Sequence, residues 1–383
     1  MSTFSDYIAS LKANNSFRQF TPVMFDDDTH ITVDGRKCIN FASNNYLSLA
    51  HHPKLIEAAM SALTCNGTGG TSSRFVGGNT LIYDMLEERI ARFKRFEKAL
   101  VFPSGYTANL GAISALCGAK DCVYIDKLDH ASIIDGITLA RTKFHSFPHR
   151  NYARLREILA RTRSGCERAI IAVESVFSMD GDISDLAELR RIADVYDCLL
   201  LVDEAHATGV FGARGAGVIE ESGVSADIEI GTLSKGIPSA GGYIAASEEI
   251  IDVVRNRARS LMYTTALPPS SVAVAHEAIA VIESMTEERA AFRARCRAFA
   301  ERLTSAGYGL FGTQSQIIPV RTGDNDRTLA VAGALRNEGI FAVGIRHPTV
   351  PKGEGRIRIS INRGHTDEDI EALYNALTRC RSL

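Results

Sequence analysis

Five short apolar runs end in residues that could do chemistry together. "ALVF" is followed by Pro103, Ser104, Gly105, Tyr106, Thr107, Ala108 and Asn109, and "CVYI" by Asp126 and then His130. "AIIAVES" leads to Ser178, Met179 and Asp180, "CLLLV" to Asp203, Glu204 and His206, and "IEIG" to Thr232, Ser234 and Lys235. In an open parallel sheet, ligands sit outside the carboxyl ends of the strands. If these runs are strands of one such sheet, one crevice receives an amine, a carboxylate, two imidazoles and several hydroxyls. Each set also has a plain structural reading. Asp203 alone would be a cap or loop anchor, Lys235 a solvated charge, and His130 a helix-start residue with Asp129 or Ser132 as the cap. Agreement of all five sets is what raises the chemical reading.

The elements needed to hold them are legible. From roughly 53 to 245, amphipathic helices ("HPKLIEAAMSALT", "IYDMLEERIARFKRF", "DLAELRRIADVYD") alternate with continuous apolar strands, to which "GGYIAAS" adds a sixth. That alternation predicts an α/β fold with a mainly parallel sheet and helices on both faces. Before it, residues 1 to about 20 read as an amphipathic helix with Phe4, Tyr7, Ile8 and Leu11 on one face. Two strands follow around the turn Asp34-Gly35. After Pro268-Pro269 a long helical run is expected over 270–306, then a compact α+β unit containing "QIIPVRT", "FAVGIR" and "RIRISIN". The expected division is 1–45 (helix and short strands), 46–265 (large domain) and 266–383 (small α+β domain).

Composition narrows the function classes. Lys plus Arg number 43 against 45 Asp plus Glu, a formal net charge of −2, which gives no electrostatic case for nucleic acid or an anionic membrane. Eight cysteines without a C-x-x-C pair are expected to be buried free thiols in a reducing compartment, rather than a disulfide framework or zinc site. No signal peptide or membrane-spanning stretch is expected, which points to a cytoplasmic protein. "GYGLFG" satisfies G-x-G-x-x-G but follows a helix and leads into a strand, so it is expected to be a helix-end turn. No metal site is expected.

Pyridoxal phosphate chemistry needs such a set: a lysine for the aldehyde, a carboxylate at the pyridine nitrogen, an imidazole against the ring, and a helix start for the phosphate. With "NNYLSL", "SGYTANLG", "DHASIIDG", "VFSMDGD", "LVDEAHATG", "GTLSKG", "TALPPS" and "IRHPTVPKGEGRIRIS" in that order, the chain resembles the α-oxoamine synthase family of fold-type-I pyridoxal phosphate enzymes. The resemblance implies roles by position. Lys235 would hold the cofactor as a Schiff base, Asp203 would pair with the pyridine nitrogen, and His130 would stack on the ring and meet substrate. Ser178 and His206 would contact the phenolic oxygen region, and Gly105, Tyr106 and Thr232 the phosphate side, joined by Thr264 or Thr265 of a second copy. Asn44 and Arg358 would hold an amino-acid carboxylate, and Arg18 and Thr349 would lie on the acyl-thioester side. The reaction implied is a decarboxylative condensation of an amino acid, L-alanine first, with an acyl-CoA, a pimeloyl thioester first, in a homodimer with shared active sites. Glycine with acetyl-CoA, serine with a long acyl-CoA, and an aminotransferase or lyase stay open as alternatives.

Overall fold

The structure, a computed structural model, describes residues 3–383. Residues 1 and 2, which the expected N-terminal helix includes, lie outside the described residues. Contacts divide the chain into two compact units: one of Leu49–Ser178 and Ile183–Arg289, the other of the chain up to Ser48, Met179–Asp182 and Ala290–Leu383.

The first unit is built on seven strands: β1 (Lys98–Phe102), β2 (Cys122–Asp126), β3 (Lys143–Phe147), β4 (Ala169–Glu174), β5 (Leu199–Asp203), β6 (Ile228–Ser234) and β7 (Pro238–Ala246). They lie in the order β1-β7-β6-β5-β4-β2-β3. Pairing is parallel except for β7, which runs antiparallel to both β1 and β6. The sequence explains the layering. Side chains of a strand alternate between faces, so the burial of every residue of β2 and β4 means that both faces are covered. One face packs Leu100, Phe102, Val123, Ile125, Ile170, Leu201, Ile230 and Ile244 against Ala108, Ala112 and Ile113 of α1 (Gly105–Leu116) and Ile133 and Ile137 of α2 (Ala131–Ala140). β3, "KFHSF", is an edge strand with one buried residue, and its polar spelling gives no apolar run by which to find it.

Two expectations about this unit need correction. The helix expected over 270–306 is two helices, Pro269–Ser284 and Thr286–Ser305, with Met285 between them at φ −92°, ψ 42°. Arg289 explains the break. Its buried guanidinium donates to the carbonyls of Ile282 (2.9 Å), Gly212 (3.1 Å) and Ala213 (2.7 Å), so the Ile282 carbonyl near the end of the first helix is satisfied without continuing it. The cysteines are also not all free: Cys122 and Cys166 form a disulfide, with Cα atoms 5.8 Å apart. Cys122 opens β2, and Cys166 lies in the turn before β4. Since β2 and β4 are paired, with Cys122 opposite Ala169, chain neighbours 44 residues apart meet at one strand edge. Short-range spacing could not show that.

In the second unit the N-terminal helix covers Phe4–Ala13, shorter than expected, and buries none of its residues. His30–Val33 and Arg36–Asn40 pair antiparallel around Asp34 and Gly35, both at positive φ as a two-residue hairpin requires. Ile317–Gly323, Gly355–Ser360 and Val343–Ile345 form an antiparallel three-stranded sheet. Asn325–Asn337 and Asp367–Arg379 are this unit's C-terminal helices. "GYGLFG" is a helix-end turn, with Gly307 at φ 81° just past Ser305.

Candidate active site

α1 starts where β1 stops. Ser104 caps it by accepting from the backbone N–H of Thr107, whose hydroxyl accepts in return from the N–H of Ser104 (3.0 Å). Gly105 at the first helical position is packed close: a Cβ there would lie 3.3 Å from Cβ of Thr232. Gly242 of β7 is tighter still, since a Cβ would fall 2.4 Å from the Gly105 nitrogen. The Thr232 hydroxyl donates to the Gly241 carbonyl (3.1 Å) and lies 2.8 Å from the Ser234 hydroxyl. The result is a helix N-terminus, two glycines and two hydroxyls packed together, a cradle suited to a phosphate.

Asp203 ends β5 and is buried. Its Oδ1 accepts from the Ala205 N–H (2.9 Å) and its Oδ2 from the Asn109 side chain (2.7 Å). The same Asn109 nitrogen donates to the Ser132 hydroxyl (3.0 Å), which lies 2.8 Å from Nδ1 of His130. His130 itself caps α2, rather than Asp129 or Ser132, because its Nδ1 accepts from the Ser132 N–H. Asp129 instead accepts from the backbone of Asp126 and Glu174.

Lys235 lies just past β6, with Nζ 2.9 Å from Nε2 of His206. The segment carrying His206 is held from below. Glu204, fully buried, accepts from the N–H groups of Val218 (2.9 Å) and Ile219 (3.1 Å). That contact demands glycine at 217, where a Cβ would sit 1.4 Å from the Glu204 carboxylate. Lys94, 1 % exposed at its side chain, binds Glu229 (2.6 Å), the Thr208 hydroxyl (2.9 Å) and the Ala216 carbonyl (2.6 Å).

Titration is skewed here. Partial withdrawal of the His130 ring from water lowers its pKa; the Asp203 charge opposes this, Lys235 adds to it and Asp135 opposes it. Burial, then the Asp203 charge, pushes Glu174 up to about 8. Ser178 is buried beside it, its N–H donating to Glu174 Oε2 (3.2 Å). Tyr106 is more open; its hydroxyl donates to Asp135, and its ring meets that of His130 edge-on at 6.4 Å. Thr264 is half-buried, while the exposed Thr265 pairs with Ser73 in an isolated bridge.

The remaining sequence-predicted residues belong to the other unit and meet in pairs. Both terminal nitrogens of Arg358 lie 3.3 Å from Asn44 Oδ1, and one also donates to the Ser360 hydroxyl (2.8 Å). Arg18 donates to the Thr349 hydroxyl. Sequence reasoning gave no site role to Asn109, Glu174 or Lys94, and considered Ser132 only as a helix cap. Asn109 was visible at the end of "SGYTAN", and Glu174 as an acid closing an otherwise apolar strand.

The donor set fits pyridoxal phosphate: an amine at Lys235, a carboxylate at Asp203 oriented by two donors, an imidazole at His130, and a cradle at Gly105 that a larger residue would crowd. Fold and site together define a fold-type-I pyridoxal phosphate enzyme. The chain belongs to the aminotransferase class I and II family, whose model matches residues 36–377. It is similar to the 8-amino-7-oxononanoate synthase of Geotalea daltonii, at 42% identity over 381 residues, which is 98% of this chain and 97% of the relative. Among solved structures, an SPT with pyridoxal phosphate as an internal aldimine superposes with a TM-score of 0.94 at 28% identity, covering 100% of this chain and 99% of that one. The serine palmitoyltransferase of Sphingomonas wittichii superposes with a TM-score of 0.92 at 32% identity, covering 99% and 97%.

Proposed function

We propose that the chain is an 8-amino-7-oxononanoate synthase, joining L-alanine to a pimeloyl thioester in biotin biosynthesis. The observation that carries this reading is 42% identity, over nearly the full length of both chains, to a relative of that name. A carbon–carbon bond forms between the alanine Cα and the thioester carbonyl carbon. The thioester C–S bond breaks and CoA leaves; the bond to the alanine carboxylate breaks and carbon dioxide leaves.

When bound, pyridoxal phosphate supplies an electron sink for the pair left at Cα. The chain's residues do the rest. Lys235 would hold the cofactor through its amine and would serve as the base that takes the substrate Cα proton. Asp203, oriented by Asn109 and the Ala205 N–H, would serve the pyridine nitrogen. His130 would lie against the ring, Ser178 and His206 would serve the phenolic oxygen, and Gly105, Tyr106 and Thr232 would bind the phosphate. Thr264 or Thr265 of a second copy in a homodimer would complete the phosphate site. Arg358 binds the amino-acid carboxylate with Asn44, while Arg18 and Thr349 serve the acyl thioester. Among the described residues no helix is long and apolar enough to cross a membrane.

The superposition on serine palmitoyltransferase favours one second reading, serine with a long acyl-CoA. The deciding experiment measures CoA release from alanine, glycine and serine against pimeloyl-, acetyl- and palmitoyl-CoA. Alanine with pimeloyl-CoA should be fastest. Faster release with serine and palmitoyl-CoA would replace this reading with the second, and product formation without any acyl-CoA would overturn both.

A further inference from the structure

Four side chains from three different elements form one hydrogen-bonded line. Asp203 Oδ2 at the end of β5 accepts from Asn109 of α1 (2.7 Å). The same Asn109 nitrogen donates to Ser132 Oγ of α2 (3.0 Å), and Ser132 Oγ lies 2.8 Å from His130 Nδ1. Asn109, Ser132 and Asp203 are 2%, 0% and 6% exposed, so no water competes along the inner part of the line.

The direction of each bond follows from donor and acceptor chemistry. Only the NH2 end of Asn109 can face a carboxylate, because its oxygen would be repelled. That nitrogen has two hydrogens, one for Asp203 and one for Ser132. Ser132 Oγ therefore accepts from Asn109, which leaves its own hydrogen for His130 Nδ1. The Ser132 backbone N–H also points at Nδ1 (3.3 Å), and a backbone amide can only donate. Nδ1 thus receives two donors and must offer its lone pair. The ring proton of neutral His130 is then confined to Nε2, on the edge turned away from α2; His130 as a residue stays exposed, so that edge is the open one.

We propose that Asn109 and Ser132 are positioning residues that hold His130 as its Nε2–H tautomer and tie the orientation of that ring to the orientation of Asp203. The proposal rests on the assignment of Asp203 and His130 to the cofactor ring. It gives that assignment a mechanical content. Whatever lies between Asp203 and the His130 ring meets a carboxylate and an N–H donor whose geometry is set by one rigid buried line. His130 can give a proton or hydrogen bond outward from Nε2, and it cannot accept one there while neutral.

The test uses the holoenzyme. Long-range 1H–15N spectra of histidine-labelled protein, with the His130 signals assigned by their loss in His130→Asn, should show Nε2 protonated and Nδ1 as a bare acceptor. In Ser132→Ala the hydroxyl donor is gone, and the His130 signals should move toward a mixture of tautomers. In Asn109→Ala the same shift should appear together with a cofactor Kd raised about tenfold or more, the size expected on losing a hydrogen bond to a charged group. Ser114→Ala, on the same helix but bonded only to the Leu110 carbonyl, should leave the His130 signals and the Kd unchanged. An Nδ1–H tautomer in the wild-type protein overturns the proposal even if the variants fail to fold. So do unchanged His130 signals in both Ser132→Ala and Asn109→Ala. Failure of the underlying cofactor assignment reads differently: the wild-type protein would show no borohydride-reducible adduct at Lys235.

Discussion

Glu174 and Asp203 are register partners at the carboxyl ends of adjacent parallel strands, and both carboxyl groups are buried. Two such groups side by side, away from water, do not readily ionise together. The structure resolves the conflict by asymmetry. Asp203 has two donors aimed at it, the Asn109 amide and the Ala205 N–H. Glu174 has one, the Ser178 N–H, and its Oε1 is buried with no hydrogen-bond partner among the described residues. Burial first, and then the neighbouring Asp203 charge, raise Glu174 to about 8, so its carboxyl stays neutral below that pH.

A pH dependence follows. A carboxyl whose folded-state pKa is raised contributes stability that is present at low pH and lost as pH rises. For Glu174 the window runs from its ordinary value of 4.5 up to about 8. Glu174→Gln cannot ionise. Its unfolding free energy relative to wild type should therefore be flat below that window, rise through it and level off above. Urea unfolding across the pH range measures this; a difference that does not change with pH would refute a neutral Glu174.

Lys235→Ala should abolish the borohydride-reducible cofactor adduct and lower activity by about 10³-fold or more. Lys235 is only half-buried and its Nζ is bonded to His206, so the variant should keep its fold. Mass mapping of the reduced adduct decides the matter, and an adduct persisting on another lysine would sink the assignment.

The buried pair Lys94–Glu229 makes an opposite prediction about stability. Lys94→Met leaves the Glu229 carboxylate uncompensated at 1 % side-chain exposure and should cost about 3–5 kcal/mol. Adding Glu229→Leu removes the stranded charge and should recover part of that loss. Denaturant midpoints of the single and double variants provide the check. If the double variant were less stable than the single one, the pair would not be the source of the cost.

Arg358→Lys retains a charge but loses the planar fork that now spans Asn44 and Ser360. With the role proposed for Arg358, KM for the amino acid should rise about tenfold or more, while KM for the acyl-CoA changes little. A rise confined to the acyl-CoA would move Arg358 to the other substrate.

How much of this was legible in the sequence depends on the range over which each feature acts. β1, β2, β4, β5, β6 and β7 were readable because being covered on both faces forces a continuous apolar spelling. That Lys235, Asp203, His130 and His206 lie at or shortly past the ends of strands of one sheet was readable because the apolar run before each marks where its strand stops. β3 was not, since a single buried residue leaves no pattern. Met285 broke an expected helix because Arg289 reaches back to the Ile282 carbonyl from a turn further on. The Cys122–Cys166 pairing and the line from Asp203 to His130 were invisible for a common reason. They join residues far apart in the chain, and only the assembled sheet and its helices make them neighbours.

β7 carries one more consequence. It is hydrogen-bonded on one side to β6 and on the other to β1, with a register shift between Pro238 and Gly242 just after Lys235. A strand shared by two ladders cannot slide along one without sliding along the other. One residue inserted or deleted between Lys235 and Gly242 would slip β7 against both neighbours and turn its side chains to the wrong faces. It would also carry Gly242 away from the start of α1. The length of the short connection after Lys235 is thus tied to the register of two ladders at once.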